Sequence, residues 1–245
     1  KVVHDVFAKR GMKVLSQTRA VQVTRTESGV SVELSSGKVI TGSHCLMAVG
    51  SLPNTENIGL AQVGVTTNEA GFIEVDKVSR TSVRGVYAAG DCTGVLMLAS
   101  VAAMQGRIAM WHALGDSVHP LNLETVSSNV FTDPEIATVG VSQADVDSGK
   151  ETANVLNLPL ATNARAKMQG ISEGFVKIFC RPDTGVIVGG VVVAPKASEL
   201  IFSSALAVEH LLTVDQMSQT ITVYPSLSGS IAEAARQLHQ TQNLN

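Results

Sequence analysis

Cysteine is scarce in this sequence, and its few cysteines carry no redox or metal spacing. Cys45, Cys92 and Cys180 are the three thiols among 245 residues. No CxxC or CxxxxC pair occurs, so the expected state is three small, buried, reduced thiols rather than a disulfide framework. Reduced thiols fit a cytoplasmic protein. Basic blocks are missing too. The 18 Lys and Arg stand against 21 Asp and Glu, for a formal charge of −3, and leave no electrostatic footprint for nucleic acid. The longest apolar run, Val186 to Ala194, contains two glycines and falls short of the roughly 20 residues of a membrane span. No stretch reads as a signal peptide. The six histidines form no HxxxH pair, so no metal is expected. There is no GxSxG nucleophile elbow and no GxGxxG phosphate loop.

What is present is globular. Apolar residues make up 44% and charged residues 16%, in a length that suits one large domain or two small ones. Lys1 opens the chain in place of Met, and residues 4–10 read as the second half of an amphipathic helix without an N-cap. The chain is therefore expected to begin inside a domain. Short strands are expected at Met12 to Leu15, Ala20 to Thr26, Val30 to Leu34, Lys38 to Ile40 and His44 to Val49, with Glu27-Ser28-Gly29 as a hairpin turn. Residues 56–80 read as further short strands around the turn Asn68-Glu69-Ala70-Gly71. A polar stretch at 116–124, with Pro120, reads as a linker. It divides the chain into 1–124 and 125–245. Beyond it come strands at 126–131, 136–141, 153–158, 174–181 and 185–193, then helices at about 197–211 and 229–239. Ser142 with Asp145 predicts a capped short helix, and Arg165 to Lys167 reads as loop. Strands followed by helices make this second half an α+β layer, after an α/β first half.

The stretch that carries chemistry is Thr81-Ser82-Val83-Arg84-Gly85-Val86-Tyr87-Ala88-Ala89-Gly90-Asp91. A strand over Val83 to Ala89 would end in Gly-Asp at the carboxyl edge of a sheet, where open α/β sheets bind ligands. Gly90 lets a ligand backbone approach closely. Asp91 offers strong acceptors to sugar or polyol hydroxyls. A helix is expected from about Leu98 to Leu114, stopped by Gly115. Its first turn, Met97-Leu98-Ala99-Ser100, has free N–H groups and the positive end of the helix dipole to offer an anionic or electron-rich ring oxygen.

These eleven residues resemble the second FAD fingerprint of the pyridine nucleotide-disulfide oxidoreductases. Ala48-Val49-Gly50-Ser51-Leu52-Pro53-Asn54-Thr55 resembles the end of that family's nucleotide domain, with Ser51 where an Arg is usual. Phe131-Thr132-Asp133-Pro134-Glu135-Ile136-Ala137 is similar to the start of its dimerisation domain. The resemblance implies a Rossmann-like NAD(P)/FAD-binding part over 1–124 and a homodimer-forming domain over 125–245. It also implies FAD as cofactor and NAD(P)H as substrate. Asp91 would bind the ribityl chain, Gly90 and Gly50 would lie against the cofactor, and Met97, Leu98, Ala99 and Ser100 would face the flavin ring. An apolar stripe, Leu200, Ile201, Ser204, Ala205 and Val208, is the expected dimer surface.

One departure is decisive. The family's disulfide reductases end in His-Pro-Thr, two residues, then Glu, with His as acid/base and Glu as its orienter. This chain reads Tyr224-Pro225-Ser226-Leu227-Ser228-Gly229. A phenol of pKa about 10 is a poor proton shuttle near neutrality, and Gly229 orients nothing. The expected activity is thus that of a flavin-dependent NAD(P)H oxidoreductase acting on a quinone-like acceptor, with Tyr224 as the candidate catalytic residue. The pattern resembles the lipoamide-dehydrogenase-like quinone reductase branch of actinobacteria. Soluble transhydrogenases, which share the Tyr but usually keep the Glu, are the alternative enzyme. A dimerisation fragment without activity of its own is the non-enzymatic alternative.

Overall fold

The computed structural model describes residues 1–242. The chain divides into two compact units, one of His4–Leu52 and the other of Lys1–Val3 with the residues from Pro53 onward.

The smaller unit holds helix α1 (Val2–Lys9) from His4 onward and an antiparallel sheet of β1 (Ala20–Thr26), β2 (Gly29–Leu34) and β3 (Val39–Gly42), in the order β1-β2-β3. The hairpin closes on Thr26 opposite Gly29, where the turn signal stands. The two expected flanking strands do not form: Met12 to Leu15 and His44 to Val49 are irregular. A strand needs a neighbour to take its backbone hydrogen bonds, and neither segment pairs with this sheet. Leu46 and Val49 are 89% and 84% exposed as a result.

In the larger unit, Asn68 makes the expected turn. Its Oδ1 accepts from the N–H groups of Ala70 and Phe72, each at 3.0 Å, and Thr67 bridges Ile73. A single helical turn, α2 (Leu60–Val63), stands where strand was expected. The strand expected over Val83 to Ala89 is also absent. That stretch curls back on residues 79–81 instead: Thr81 N–H donates to Val86 O, Ala88 N–H donates to Ser79 O, and Arg80 bridges Tyr87. Its hydrogen bonds are spent locally, so no ladder forms. Helix α3 (Ala99–Ala113) follows, with Leu98 and Leu114 as its caps.

From residue 128 the layout is the one expected. Strands β4 (Ser128–Val130), β5 (Glu135–Gly140), β6 (Asn154–Pro159), β7 (Phe175–Cys180) and β8 (Ile187–Ala194) form one antiparallel sheet in the order β4-β5-β8-β7-β6. The central strand is β8, the longest apolar run of the sequence, as a strand covered on both faces demands. Helix α6 (Ala197–Glu209) packs on β8 and β5, and α8 (Gly229–Gln242) on β6 and β7. Ile178, Val192, Ile201, Val208, Ile231 and Leu238 form the core between them. The paired glycines of β8 have a packing reason. A methyl on Gly189 would stand 2.4 Å from Val141 O, and one on Gly190 would stand 3.0 Å from the Ser204 Cβ of α6.

Three expectations change here. The α6 stripe assigned to a dimer surface is turned inward: Ile201, Ser204 and Val208 are buried in this chain's own core, and Leu200 and Ala205 pack against it. The face that α6 leaves open carries Phe202 and Leu206. Arg165 to Lys167 lies in a short helix, α5 (Ala164–Met168), capped by Asn163. Val214–Gln219 is a further helix, α7, whose capping box pairs Thr213 with Gln216. Of the thiols, only Cys180 is buried, while Cys45 is exposed on the irregular segment. Burial pushes the Cys180 thiol up to about 11, which keeps it protonated and inert.

Helix α4 (Gln143–Asp147) bears out the capping signal: Asp145 N–H donates to Ser142 Oγ and Ser142 N–H donates to Asp145 Oδ2. The Ser142 hydroxyl, also donating to Asp145, holds that carboxyl down at about 2, helped by Lys150. A depressed carboxylate stabilises the fold above the ordinary Asp pKa and loses that contribution as pH falls through about 2. Ser142→Ala is therefore expected to raise the Asp145 midpoint toward its usual value and to cost about 1 kcal/mol of cap stability. A carboxyl-carbon NMR titration that leaves the midpoint where it was would contradict this.

Candidate functional site

The Gly-Asp corner is built by a buried polar knot. Gly90 adopts φ 89°, ψ −160°, a conformation reserved for glycine, and a methyl there would stand 3.3 Å from Ala102 of α3. Its N–H donates to Gln105 Oε1 at 2.8 Å, and its carbonyl accepts from Thr93 Oγ1 at 2.8 Å. Gln105 Nε2 in turn donates to Thr93 Oγ1 at 3.3 Å. Gln105 is 1% exposed, yet both ends of its amide are satisfied. One side chain on the second turn of α3 thus fixes the single turn of 3-10 helix at Asp91–Thr93. Cys92 O is held from the other side, by Ile73 N–H at 2.8 Å.

This scaffold leaves Asp91 exposed at the head of the turn. Among the described residues its carboxylate has no hydrogen-bond or ion-pair partner. A few residues on, α3 starts at Leu98, which supplies no side-chain cap. Met97 is 44% exposed, and Ala99 and Ser100 are exposed beside the open N–H groups of the first turn. Gly90, Asp91, Met97, Leu98, Ala99 and Ser100 therefore fall on one corner, although the strand expected to deliver them is a curled loop. Gly50, exposed with φ 117°, belongs to the smaller unit. At the far end of α3, Tyr87 and His112 share a 2.8 Å hydrogen bond.

Tyr224 sits elsewhere in the larger unit. It is 84% exposed, next to Val223 and near Ile221, on the irregular segment between α7 and α8. It lines a groove of about 710 Å³ with Lys167, Thr222, Ser226 and Arg236, and none of residues 90–100 contributes to that groove. Across it, Glu233 and Arg236, three apart on α8, form a two-bond ion pair at 2.7 and 2.6 Å. The Arg236 guanidinium holds the Glu233 carboxyl below its ordinary range.

Two family models match. Residues 1–106 match the pyridine nucleotide-disulphide oxidoreductase model, and residues 126–235 match the dimerisation domain of the same family. The chain belongs to the pyridine nucleotide-disulphide oxidoreductase family. Within it, the chain is 56% identical over 244 residues to an NAD(P)H dehydrogenase (quinone) of Mycobacterium tuberculosis, covering all of this chain and 50% of the relative. It is 34% identical over 237 residues to the dihydrolipoyl dehydrogenase of Zymomonas mobilis, covering 95% of this chain and 51% of that enzyme. The crystal structure of LpdA from Mycobacterium tuberculosis superposes with a TM-score of 0.92 at 57% identity, over 97% of this chain and 52% of that one. The chain thus spans about half the length of the relatives it matches. The Gly90 corner lies in the first matched span and Tyr224 in the second. Among the described residues, no helix is long and apolar enough to cross a membrane.

Sequence reasoning missed Gln105 and Thr93, which hold the corner from its buried side. A signal existed for Gln105: it is the one polar residue in the inward stripe Val101-Gln105-Ile108 of an Ala-rich helix. A polar side chain on a buried face must have found a partner.

Proposed function

We propose that this chain is part of an FAD-dependent NAD(P)H oxidoreductase that passes electrons to a quinone-like acceptor and does not reduce disulfides. In this reading, residues 1–124 complete the cofactor-binding part and residues 125–245 form a homodimer. The observation that carries it is the replacement of the family's acid/base pair by Tyr224 and Gly229.

The Gly90 corner fits FAD. It combines a glycine-only approach path, an exposed unpartnered carboxylate and an uncapped 15-residue helix. When bound, FAD would accept hydride from NAD(P)H and release electrons to the acceptor. Asp91 would take hydrogen bonds from the ribityl hydroxyls, at charge-assisted strength. The first turn of α3, from Met97 to Ser100, would offer N–H groups and the dipole's positive end to an anionic ring edge. Tyr224 lies on a surface apart from that corner. That suits a residue acting on the cofactor site of the other subunit, as the family's His does. Its hydroxyl can donate a hydrogen bond to a quinone oxygen.

The test is a comparison of acceptors. With NAD(P)H, the full-length protein is expected to reduce menadione readily and lipoamide at a rate lower by about 10²–10⁴-fold than an enzyme that keeps its His, the span of a lost acid/base group. Robust lipoamide turnover, or no quinone turnover, overturns the reading.

A further inference from the structure

The segment that carries Tyr224 has no regular structure; Leu227 packs on the core beside it, and among the described residues its side-chain hydrogen bonds to the rest of the domain meet at one residue. Asn163, the N-cap of α5, donates through Nδ2 to Ser226 O at 2.9 Å and to Ser230 Oγ at 2.8 Å. Its Oδ1 meanwhile accepts from Ala166 N–H at 3.1 Å. Both amide protons and the amide oxygen are used. Among the described residues, the other hydrogen bonds made by 220–230 outside the body of α8 are local: Thr220 to Gln216 and Met217, Ser226 to Val223 and Ser228, Gly229 to Ser226, Ser230 to Leu227, and Ile231 to Ser228. Ser226 closes a short turn around Tyr224, since its Oγ donates to Val223 O at 2.6 Å; the same oxygen accepts from Gly229 N–H at 3.1 Å. The chain is thus Asn163 to Ser226, and Ser226 to the residue before Tyr224. Ser230, the second anchor, is 1% exposed and cannot drift.

We infer that Asn163 is the positioning residue for Tyr224, holding the phenol at the groove it lines so that an acceptor meets it in one place. The inference rests on the acceptor role given to Tyr224 above. It predicts that weakening the tether frees the ring while leaving cofactor binding, which sits at the Gly90 corner, untouched. Asn163→Asp keeps the acceptor for Ala166 but sets a carboxylate oxygen against the Ser226 carbonyl. The Ser230 hydroxyl can turn to donate to that carboxylate, so the bond to Ser226 O is the one lost, and only the protonated acid can restore it.

The experiment uses the full-length protein with fluorotyrosine incorporated, the Tyr224 resonance being identified by its loss in Tyr224→Phe. In Asn163→Ala the Tyr224 signal is expected to shift or broaden, with FAD content unchanged. The KM for menadione should rise about tenfold, the scale of a lost hydrogen-bonded tether, while the rate of flavin reduction by NAD(P)H stays the same. In Asn163→Asp the parent signal should return as pH is lowered toward the carboxyl's pKa, a titration that a purely structural residue would not produce. Adding Asn163→Ala to Tyr224→Phe should raise KM no further. An unmoved fluorine signal in Asn163→Ala, or fully additive KM effects, overturns the positioning role. Unchanged menadione turnover in Tyr224→Phe sinks the acceptor role instead, and the fluorine signal still decides whether Asn163 holds the ring.

Discussion

Asp91→Ala in the full-length protein is expected to lower FAD retention by roughly ten- to a hundredfold, the scale of one or two charge-assisted hydrogen bonds lost. The carboxylate is exposed and unpartnered among the described residues, so its removal leaves no internal bond broken. Gly90, Thr93 and Gln105 keep the corner in shape without it. The loss should therefore appear in flavin absorbance per protein after gel filtration, with the melting temperature of the apoprotein unchanged. Asp91→Asn keeps one acceptor oxygen and is expected to fall between the two. Equal flavin occupancy in Asp91→Ala and the parent protein would remove Asp91 from the site.

Ile178→Ala is expected to cost about 2–5 kcal/mol, the range for a buried Ile cut back to Ala, read as a lower urea midpoint at unchanged slope. Ile178 is fully buried at the centre of the 128–242 core, on the strand next to β8. Its Cδ1 lies 3.7 Å from where a methyl on Gly190 would stand, and that same point is 3.0 Å from Ser204 of α6. The helix is already in near contact with the sheet there, so the walls cannot close on the gap. This puts the cost in the upper part of the range. Val23→Ala on β1, where the side chain is 41% exposed, is the control, with an expected change within about 0.5 kcal/mol. A loss below about 1 kcal/mol for Ile178→Ala would show that the sheet and helix do close on the gap.

Much of the second half was legible because its signals are local and redundant. The run from Val186 to Ala194 could only be a covered strand, and Ser142 with Asp145 could only be a cap. The short helices α5 and α7 span only five and six residues, too few for an apolar period to stand out, and their caps at Asn163 and Thr213 were the only available sign. The stripe on α6 was legible as apolar but not as to what it covers. Periodicity encodes that a face is buried, and nothing in Leu200, Ile201 or Val208 says whether the covering surface belongs to the same chain. Met12 to Leu15 and His44 to Val49 failed for a related reason: a strand's identity lies in its neighbours. The corner at Gly90 was picked out by residue type, but the strand meant to carry it does not form. Its geometry comes from Gln105, fifteen residues away, through a side-chain bond that no window of local pattern contains.

That bond also limits how this corner could be transplanted. The loop from Gly90 to Thr93 takes its shape from an amide on the second turn of the helix that follows, and from the backbone of Ile73 behind it. A graft of the Gly-Asp motif alone into another scaffold would carry the sequence without the mould. The smallest unit that can be moved intact runs from Ile73 through Gln105. Within it, position 105 and the glycine it grips must change together or not at all.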